Sequence, residues 1–273
     1  MKILIPFFSA TENTARIAEV IRKRLESLGA GVEELDITPR GSRASGLDLG
    51  PYDAVIFGAP IHSNRAPRVV REWLMILDGG GKKCSTFFTY GGFTVHPTHY
   101  STQQILKKKN FVQVSSAEFL GKHTFNLGGW KALPDRPDKS DFAVAEKFAE
   151  ETYKRFTGED NDVLGEMEKT NHTEEYLDEI EGVRFRAVTQ LPTRGGEECS
   201  MCMKCEELCP TNAMIAEIGE AEAGKCIACL RCVDVCPDGA LKINDLSHIW
   251  PIKLQMENET EETIRNKESK IYL

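Results

Sequence analysis

Eight of the nine cysteines lie between Cys199 and Cys236, spaced as ligands of a metal cluster. They form two units, each reading C-x2-C-x2-C-x3-C-P. Cys199, Cys202, Cys205 and Cys209 recur 27 residues later as Cys226, Cys229, Cys232 and Cys236, and Pro210 and Ala213 recur as Pro237 and Ala240. Such a repeat implies a pseudo-two-fold module. In each unit the first three thiolates wrap three corners of one iron–sulfur cubane, and the fourth opens a helix and serves the other cubane. The spacing therefore predicts two [4Fe–4S] clusters with crossed ligands. Cys199, Cys202, Cys205 and Cys236 hold one; Cys226, Cys229, Cys232 and Cys209 hold the other. Zinc is the competing metal, but a zinc ribbon needs two cysteine pairs per ion, not two quartets with a trailing proline. A disulfide framework would spread its cysteines along the chain. A unit of this size has little core, so the clusters are expected to hold it folded, with Ile227, Leu230, Val233 and Val235 excluding water.

A second group of residues suits an anion. Ser9, Ala10, Thr11, Glu12, Asn13 and Thr14 follow an apolar run and precede a helical pattern. Hydroxyls and backbone N–H groups at a helix N-terminus bind phosphate, although a hydroxyl-rich helix cap has the same look. With no P-loop lysine and no G-x-G-x-x-G, a monophosphate is favoured over a nucleoside triphosphate or a dinucleotide. Two further segments belong with it: Pro60, Ile61, His62, Ser63 and Asn64; and Thr89, Tyr90, Gly91, Gly92 and Phe93.

The elements that must position these segments alternate. Residues 2–8 form a nearly continuous apolar run, as a parallel strand covered on both faces requires, with Pro6 expected as a kink at its end. Ile17, Val20, Ile21, Leu25 and Leu28 recur at helical spacing and stop at Gly29. Further strands are predicted over 32–37, 54–59, 84–90 and 111–120, and further helices from Pro67, over 98–109 and over 141–156. Five strands alternating with four helices predict a doubly wound five-stranded parallel sheet, an α/β fold. Its ligand site is the crevice at the carboxyl ends of the strands, where all three segments fall. Residues 121–140 form an insertion, read either as a lid carrying Lys122, His123 and Trp130 or as a plain surface loop. The expected organisation is a first domain over 1–157, an acidic linker over 158–195, an α+β two-cluster domain over 196–245 and a tail over 246–273. Within the tail, residues 257–270 read as a charged helix packing between domains. Cys84 reads as a buried small apolar residue, and no role is assigned to His96 or His99.

The 273 residues are 41% hydrophobic and 28% charged, an ordinary globular balance. The first residues lack a signal-peptide layout, and no apolar run approaches the ~20 residues that span a bilayer; the expectation is a cytoplasmic protein with no membrane span. No basic patch points to nucleic acid. Net charge is −8, and ten acidic residues against one basic fall between Gly158 and Gly182. That run, including Glu174, Glu175, Asp178, Glu179 and Glu181, reads as a solvated linker or as a steering surface for a basic redox partner.

With these residues in view, residues 196–245 resemble bacterial two-cluster ferredoxins at all eight cysteines. Residues 1–157 resemble flavodoxin, whose phosphate loop reads roughly T/S-x-T-G-x-T. Ser9, Thr11 and Thr14 match, while Glu12 replaces the glycine and places a carboxylate near the phosphate. The resemblance implies a flavodoxin-like fold that binds FMN, with the loops after the third and fourth strands embracing the ring. Tyr90, Phe93 and Trp130 are then candidates to stack on the flavin. His62 either hydrogen-bonds flavin N5 or O4 or faces solvent. The whole chain is similar to the electron-transfer flavodoxin-like ferredoxins of anaerobes.

What this implies is an electron-transfer flavoprotein that couples one-electron chemistry at the clusters to two-electron chemistry at FMN, exchanging electrons with redox protein partners. Two alternatives stand beside it: a flavin-dependent reductase of a small acceptor such as a quinone, and a docking module that has lost FMN. Exchange within one chain and exchange across a homodimer are both compatible with the sequence.

Overall fold

The computed structural model describes residues 1–93 and 95–273. β1 (Lys2–Phe7) leads into α1 (Asn13–Ser27), β2 (Gly31–Asp36), β3 (Ala54–Pro60), α2 (Arg68–Met75), β4 (Lys83–Tyr90), α3 (His96–Lys108), β5 (Val112–Leu120) and α4 (Lys139–Thr157). There follow α5 (Glu174–Ala187), α6 (Lys204–Glu207), β6 (Met214–Ile215), β7 (Glu220–Ala221), α7 (Arg231–Asp234), α8 (Trp250–Met256), α9 (Glu261–Arg265) and β8 (Lys270–Tyr272).

Among the described residues the main sheet runs β2-β1-β3-β4-β5-β8. The first five strands are parallel, as expected from the alternation of elements. Successive side chains of a strand face opposite ways. Leu4, Val55 and Phe88 therefore pack with Trp73, Leu74 and Leu106 on one face. Ile3, Ile5, Ile56 and Phe87 pack with Ile17, Ile21 and Phe148 on the other. Pro6 lies inside β1 rather than ending it at a kink: it stands opposite Leu35 of β2, while the ladder toward β3 skips Ile5 and Pro6. The interruption falls where proline has no N–H to give.

The tail departs from the expected helix. Asn258 takes a left-handed conformation (φ 54°) after α8, and a Thr260–Thr263 capping box restarts the chain as α9. Trp250 and Ile264 are buried with Tyr90, Leu120 and Trp130. β8 then adds a sixth strand, antiparallel to β5, with Tyr272 opposite Ser116 and Lys270 opposite Glu118.

The acidic segment also has a structural task. Arg65 is 2% exposed and receives Glu174 at 2.8 Å, Asp178 at 2.5 Å and Glu181 at 3.0 Å from α5. Arg71 shares Glu181 at 2.9 Å. A guanidinium buried this deeply needs such carboxylates, so part of the run is a clamp and not a free linker.

Candidate flavin and iron–sulfur sites

β1 leads to β2 on one side of the sheet, and β3 lies on its other side, so the strand order reverses beside β1. At the carboxyl ends of β1, β3 and β4 lies a cavity with ≈ 470 Å³ of open space. It is lined by Ser9, Ala10, Thr11, Asn13 and Thr14; by Pro60, Ile61 and His62; by Thr89, Tyr90 and Gly91; and by Lys122, His123 and Thr124. The three expected segments thus meet, and the start of the 121–140 insertion closes over them.

The loop is stitched before any ligand enters. Thr14 Oγ1 lies 2.7 Å from Thr89 Oγ1, Ala15 N–H donates to Ser9 Oγ at 3.1 Å, and Ser9 N–H donates to Thr38 Oγ1 at 2.7 Å. Asn13 Nδ2 donates to the Lys122 carbonyl at 2.9 Å, fastening the insertion to the loop. Glu12 has φ 66°, the left-handed conformation that glycine adopts without strain. The replacement of glycine at this position therefore leaves the backbone in the glycine-type conformation. At Gly91 a Cβ would come within 2.3 Å of the His123 ring, so only glycine lets that ring approach.

Other expected residues stand away from this cavity. Ser63 and Asn64 (φ 49° and 65°) form a tight turn between His62 and Arg65, which exchange backbone hydrogen bonds at 2.8 and 3.1 Å. Gly92 packs against Ile264. Phe93 and Trp130 belong to an aromatic cluster with Trp250, with ring centroids 5.4–6.1 Å apart, and do not line the cavity. Their apolar surface is covered by the tail, which sequence spacing does not bring there. Glu12 lines an adjoining cavity with Arg16, Asp135 and Asp234. His62 is 5% exposed and so does not face solvent. Cys84 is fully buried, and burial pushes its thiol far up.

The two cysteine units have matching backbones. Met201 and Met203 have positive φ, as do Ala228 and Leu230, their counterparts 27 residues on; Asn212 and Gly239 form a third such pair. α6 and α7 match in the same register. Cys199, Cys202, Cys205 and Cys236 line one cavity with ≈ 380 Å³ of open space, so a fourth cysteine crosses over from the second unit. Burial pushes Cys232 up, and the nearby Cys229, Cys226 and Cys209 add to it. For Cys236 burial acts upward, but backbone N–H groups of Leu241, Ala240 and Asp238 outweigh it and hold the thiol below its ordinary value. Among the described residues no three or more His, Cys, Asp or Glu side chains gather as a single ion requires. Thiolates around a cubane each meet a different iron and stand at separate corners, so four cysteines around a cavity fit a cluster.

Residues 4–121 match the family model of the flavodoxin domain, and residues 191–242 match that of the 4Fe-4S dicluster domain. The chain joins a flavodoxin domain to a 4Fe–4S dicluster domain. The first implies FMN, the second two iron–sulfur clusters, and together they make an electron-transfer flavoprotein. Among solved structures the chain is similar to oxidised flavodoxin 1 of Bacillus cereus (17% identity, 56% of this chain and 98% of that one, TM-score 0.43). It is also similar to a flavodoxin from the domain Archaea (15%, 57% and 99%, 0.42). A third likeness is to rubredoxin oxygen:oxidoreductase of Desulfovibrio gigas (16%, 57% and 36%, 0.44). No curated protein matches. Among the described residues no helix is long and apolar enough to cross a membrane.

The dicluster domain is seated on the flavodoxin domain. Ile227 and Cys229 join the core cluster that contains Phe8, Ala59 and Trp73. Leu230 joins the one that contains Tyr90 and Trp130. Arg231, between Cys229 and Cys232, donates from Nη1 to the carbonyl oxygens of Ser9 at 2.9 Å and Ala10 at 3.4 Å. The small domain thus borrows core from its neighbour, and its second cysteine unit reaches the flavodoxin loop itself.

One cluster of buried polar groups was not legible in the sequence. His99 Nδ1 lies 2.7 Å from Ser116 Oγ, and its Nε2 lies 3.3 Å from Glu118. Tyr272 Oη donates to Glu118 at 2.8 Å. A glutamate inside a strand otherwise buried on both faces was the available signal.

Proposed function

We propose that this chain is an electron carrier that passes electrons between two [4Fe–4S] clusters and FMN within a single chain. Cys199, Cys202, Cys205 and Cys236 hold one cluster; Cys226, Cys229, Cys232 and Cys209 hold the other. Ser9, Thr11 and Thr14, with the N–H groups of residues 11–14, hold the FMN phosphate, and His62, Tyr90, Gly91 and His123 border the ring. When bound, FMN exchanges one or two electrons and each cluster one, which is the cofactors' own chemistry. The protein orders the groups and excludes water.

The observation that carries this reading is Arg231. Its backbone lies between two ligands of the second quartet, and its guanidinium bonds the loop proposed for the flavin phosphate. That quartet is therefore the one beside the flavin, and the other is the outer one. The test is rapid reduction of the anaerobic holoprotein, following clusters by freeze-quench electron paramagnetic resonance and flavin by absorbance. Exchange within one chain gives a rate independent of protein concentration for a monomeric species. A rate that rises with concentration defeats the proposal.

A second reading, a reductase of a small acceptor, is favoured by the adjoining cavity. It has ≈ 710 Å³ of open space and shares Thr11, Asn13, Lys122, His123 and Thr124 with the first. Its walls carry Arg16, Arg136, Asp135 and Asp234, which suit a polar acceptor better than a plain quinone. Saturable turnover of a small acceptor by the holoprotein would establish it.

A further inference from the structure

A broad groove with ≈ 1380 Å³ of open space runs between the two domains, away from the flavin cavity. Its walls carry Arg40, Arg43, Arg68 and Lys225 against Glu72 alone. Four cations to one carboxylate is a marked excess in a chain of net charge −8.

Three of these charges, Arg40, Arg43 and Arg68, are poorly cancelled. Arg40 makes no ion pair among the described residues. Arg68 Nε stands 3.8 Å from Glu72, and its Nη2 reaches the Gly224 carbonyl at 3.4 Å, both long contacts. Arg43 donates to the carbonyls of Thr38 and Pro210, which fix the guanidinium without neutralising it. Lys225 pairs with Glu222 on the outside, with more than half its side chain exposed. Ile76 adds an apolar surface to the same wall and is 54% exposed. Exposed apolar surface rimmed by charge is the anatomy of a transient protein interface. A small anion would need donors converging in an enclosed pocket; here the cations spread along an open rim.

The position of the groove gives it a redox meaning. Pro210 follows Cys209 and Lys225 precedes Cys226, and both line it. Two ligands of the quartet beside the flavin domain, from different sequence units, are thus each one residue from its floor. We propose that the groove docks an acidic one-electron redox protein, which exchanges electrons with the Cys209, Cys226, Cys229 and Cys232 cluster directly. The partner gives up one electron and this chain gains it; no bond is made or broken and no proton moves. The inference rests on the cluster assignment above and gives a port with the opposite charge preference from a steering acidic surface. Of the acidic helix, Glu174, Asp178 and Glu181 are already engaged by Arg65 and Arg71.

The test is stopped-flow electron transfer from a reduced acidic [2Fe–2S] ferredoxin, used as the probe, to the oxidised holoprotein. The wild-type second-order rate falls as salt rises, because opposite charges steer the encounter. The triple variant Arg40→Gln, Arg68→Gln, Lys225→Gln keeps its iron and flavin content but reacts about tenfold or more slowly and loses most of the salt dependence. In the reverse direction, oxidised cytochrome c, a basic probe, accepts electrons from the reduced holoprotein, and the variant does not slow it. A salt-independent wild-type rate, a variant as fast as wild type, or equal slowing of both probes overturns the proposal. If the acidic probe reduces the cluster while the flavin stays oxidised, the docking stands and internal transfer fails.

Discussion

The guanidinium of Arg231 donates to the carbonyl oxygen of Ser9 at 2.9 Å, across 222 positions of sequence. A cluster-binding loop and a phosphate-type loop are thereby held as one unit. Because Arg231 also meets Ala10, its removal leaves two carbonyls without their charged donor. Hydrogen bonds to charged groups contribute about 1.5–3 kcal/mol. Arg231→Gln is expected to loosen the domain contact by that order, slow internal transfer and weaken FMN binding about tenfold or more. Arg231→Lys restores part of the loss. Fluorescence titration of FMN checks the affinity; unchanged affinity in the glutamine variant contradicts the link.

Glu12 offers a test in the opposite direction. Its left-handed backbone (φ 66°) costs a non-glycine residue about 1–2 kcal/mol, and its carboxylate lies on the phosphate-type loop. Glu12→Gly removes both penalties. The fold is expected to gain about 1–2 kcal/mol from the relieved backbone, and FMN to bind more tightly because no carboxylate opposes its phosphate, with the conformation of the loop unchanged. Weaker binding would mean that the carboxylate serves the ligand.

The crossed quartets make paired predictions. The holoprotein should carry about eight iron atoms, four per cluster. Cys209→Ser and Cys232→Ser should remove the same paramagnetic signal although the residues come from different units. Cys236→Ser should remove the other signal together with Cys205→Ser. Signals that group by sequence unit instead would refute the crossing.

The Glu118 site predicts a pH dependence. Burial pushes its carboxyl up, but hydrogen bonds from His99 and Tyr272 and the charge of Lys270 outweigh this and hold it below its ordinary value. A carboxylate depressed on folding stabilises above its unfolded value, about 4.3, and that contribution is lost as pH falls through the folded value. Glu118→Gln should therefore be less stable than wild type near neutral pH, with the gap closing as pH drops below about 4. Thermal unfolding, with iron content followed at each pH, checks this. A gap that widens in acid would show that Glu118 is protonated in the native state.

The Arg65 clamp gives a stability prediction. Arg65→Ala removes the shared partner of Glu174, Asp178 and Glu181, but Arg71 still meets Glu181 at 2.9 Å, so the cost should fall below the about 3–5 kcal/mol of a fully broken buried pair. Limited proteolysis within 158–182 should accelerate while cluster content holds. Unchanged proteolysis would mean that α5 docks without its arginine.

Much of the architecture was readable before any coordinates. The runs 2–8 and 54–59 carry two-sided burial in their composition, and helical periodicity at Ile17, Ile21 and Leu25 is equally local. The hydroxyl-rich loop and the strand-end segments followed from where such residues fall on an α/β sheet. Phe93 and Trp130 pack with Trp250 of the tail, a partner that their local sequence does not reveal. The tail itself looked helical, since a three-residue antiparallel strand carries no period of its own.

What the sequence determined by itself is the chemistry of short reach: eight thiolates at fixed spacing, a hydroxyl loop before a helix and strands that bury both faces. Each depends on residues a few positions apart, where covalent geometry already limits the outcome. Folding as a whole was needed to bring Arg231 of the second cysteine unit onto Ser9, to set acidic residues of α5 around Arg65, and to pair β8 with β5 beside Glu118. Those contacts join residues more than a hundred positions apart, and they are selected by the burial and charge of the folded whole, which no spacing rule encodes.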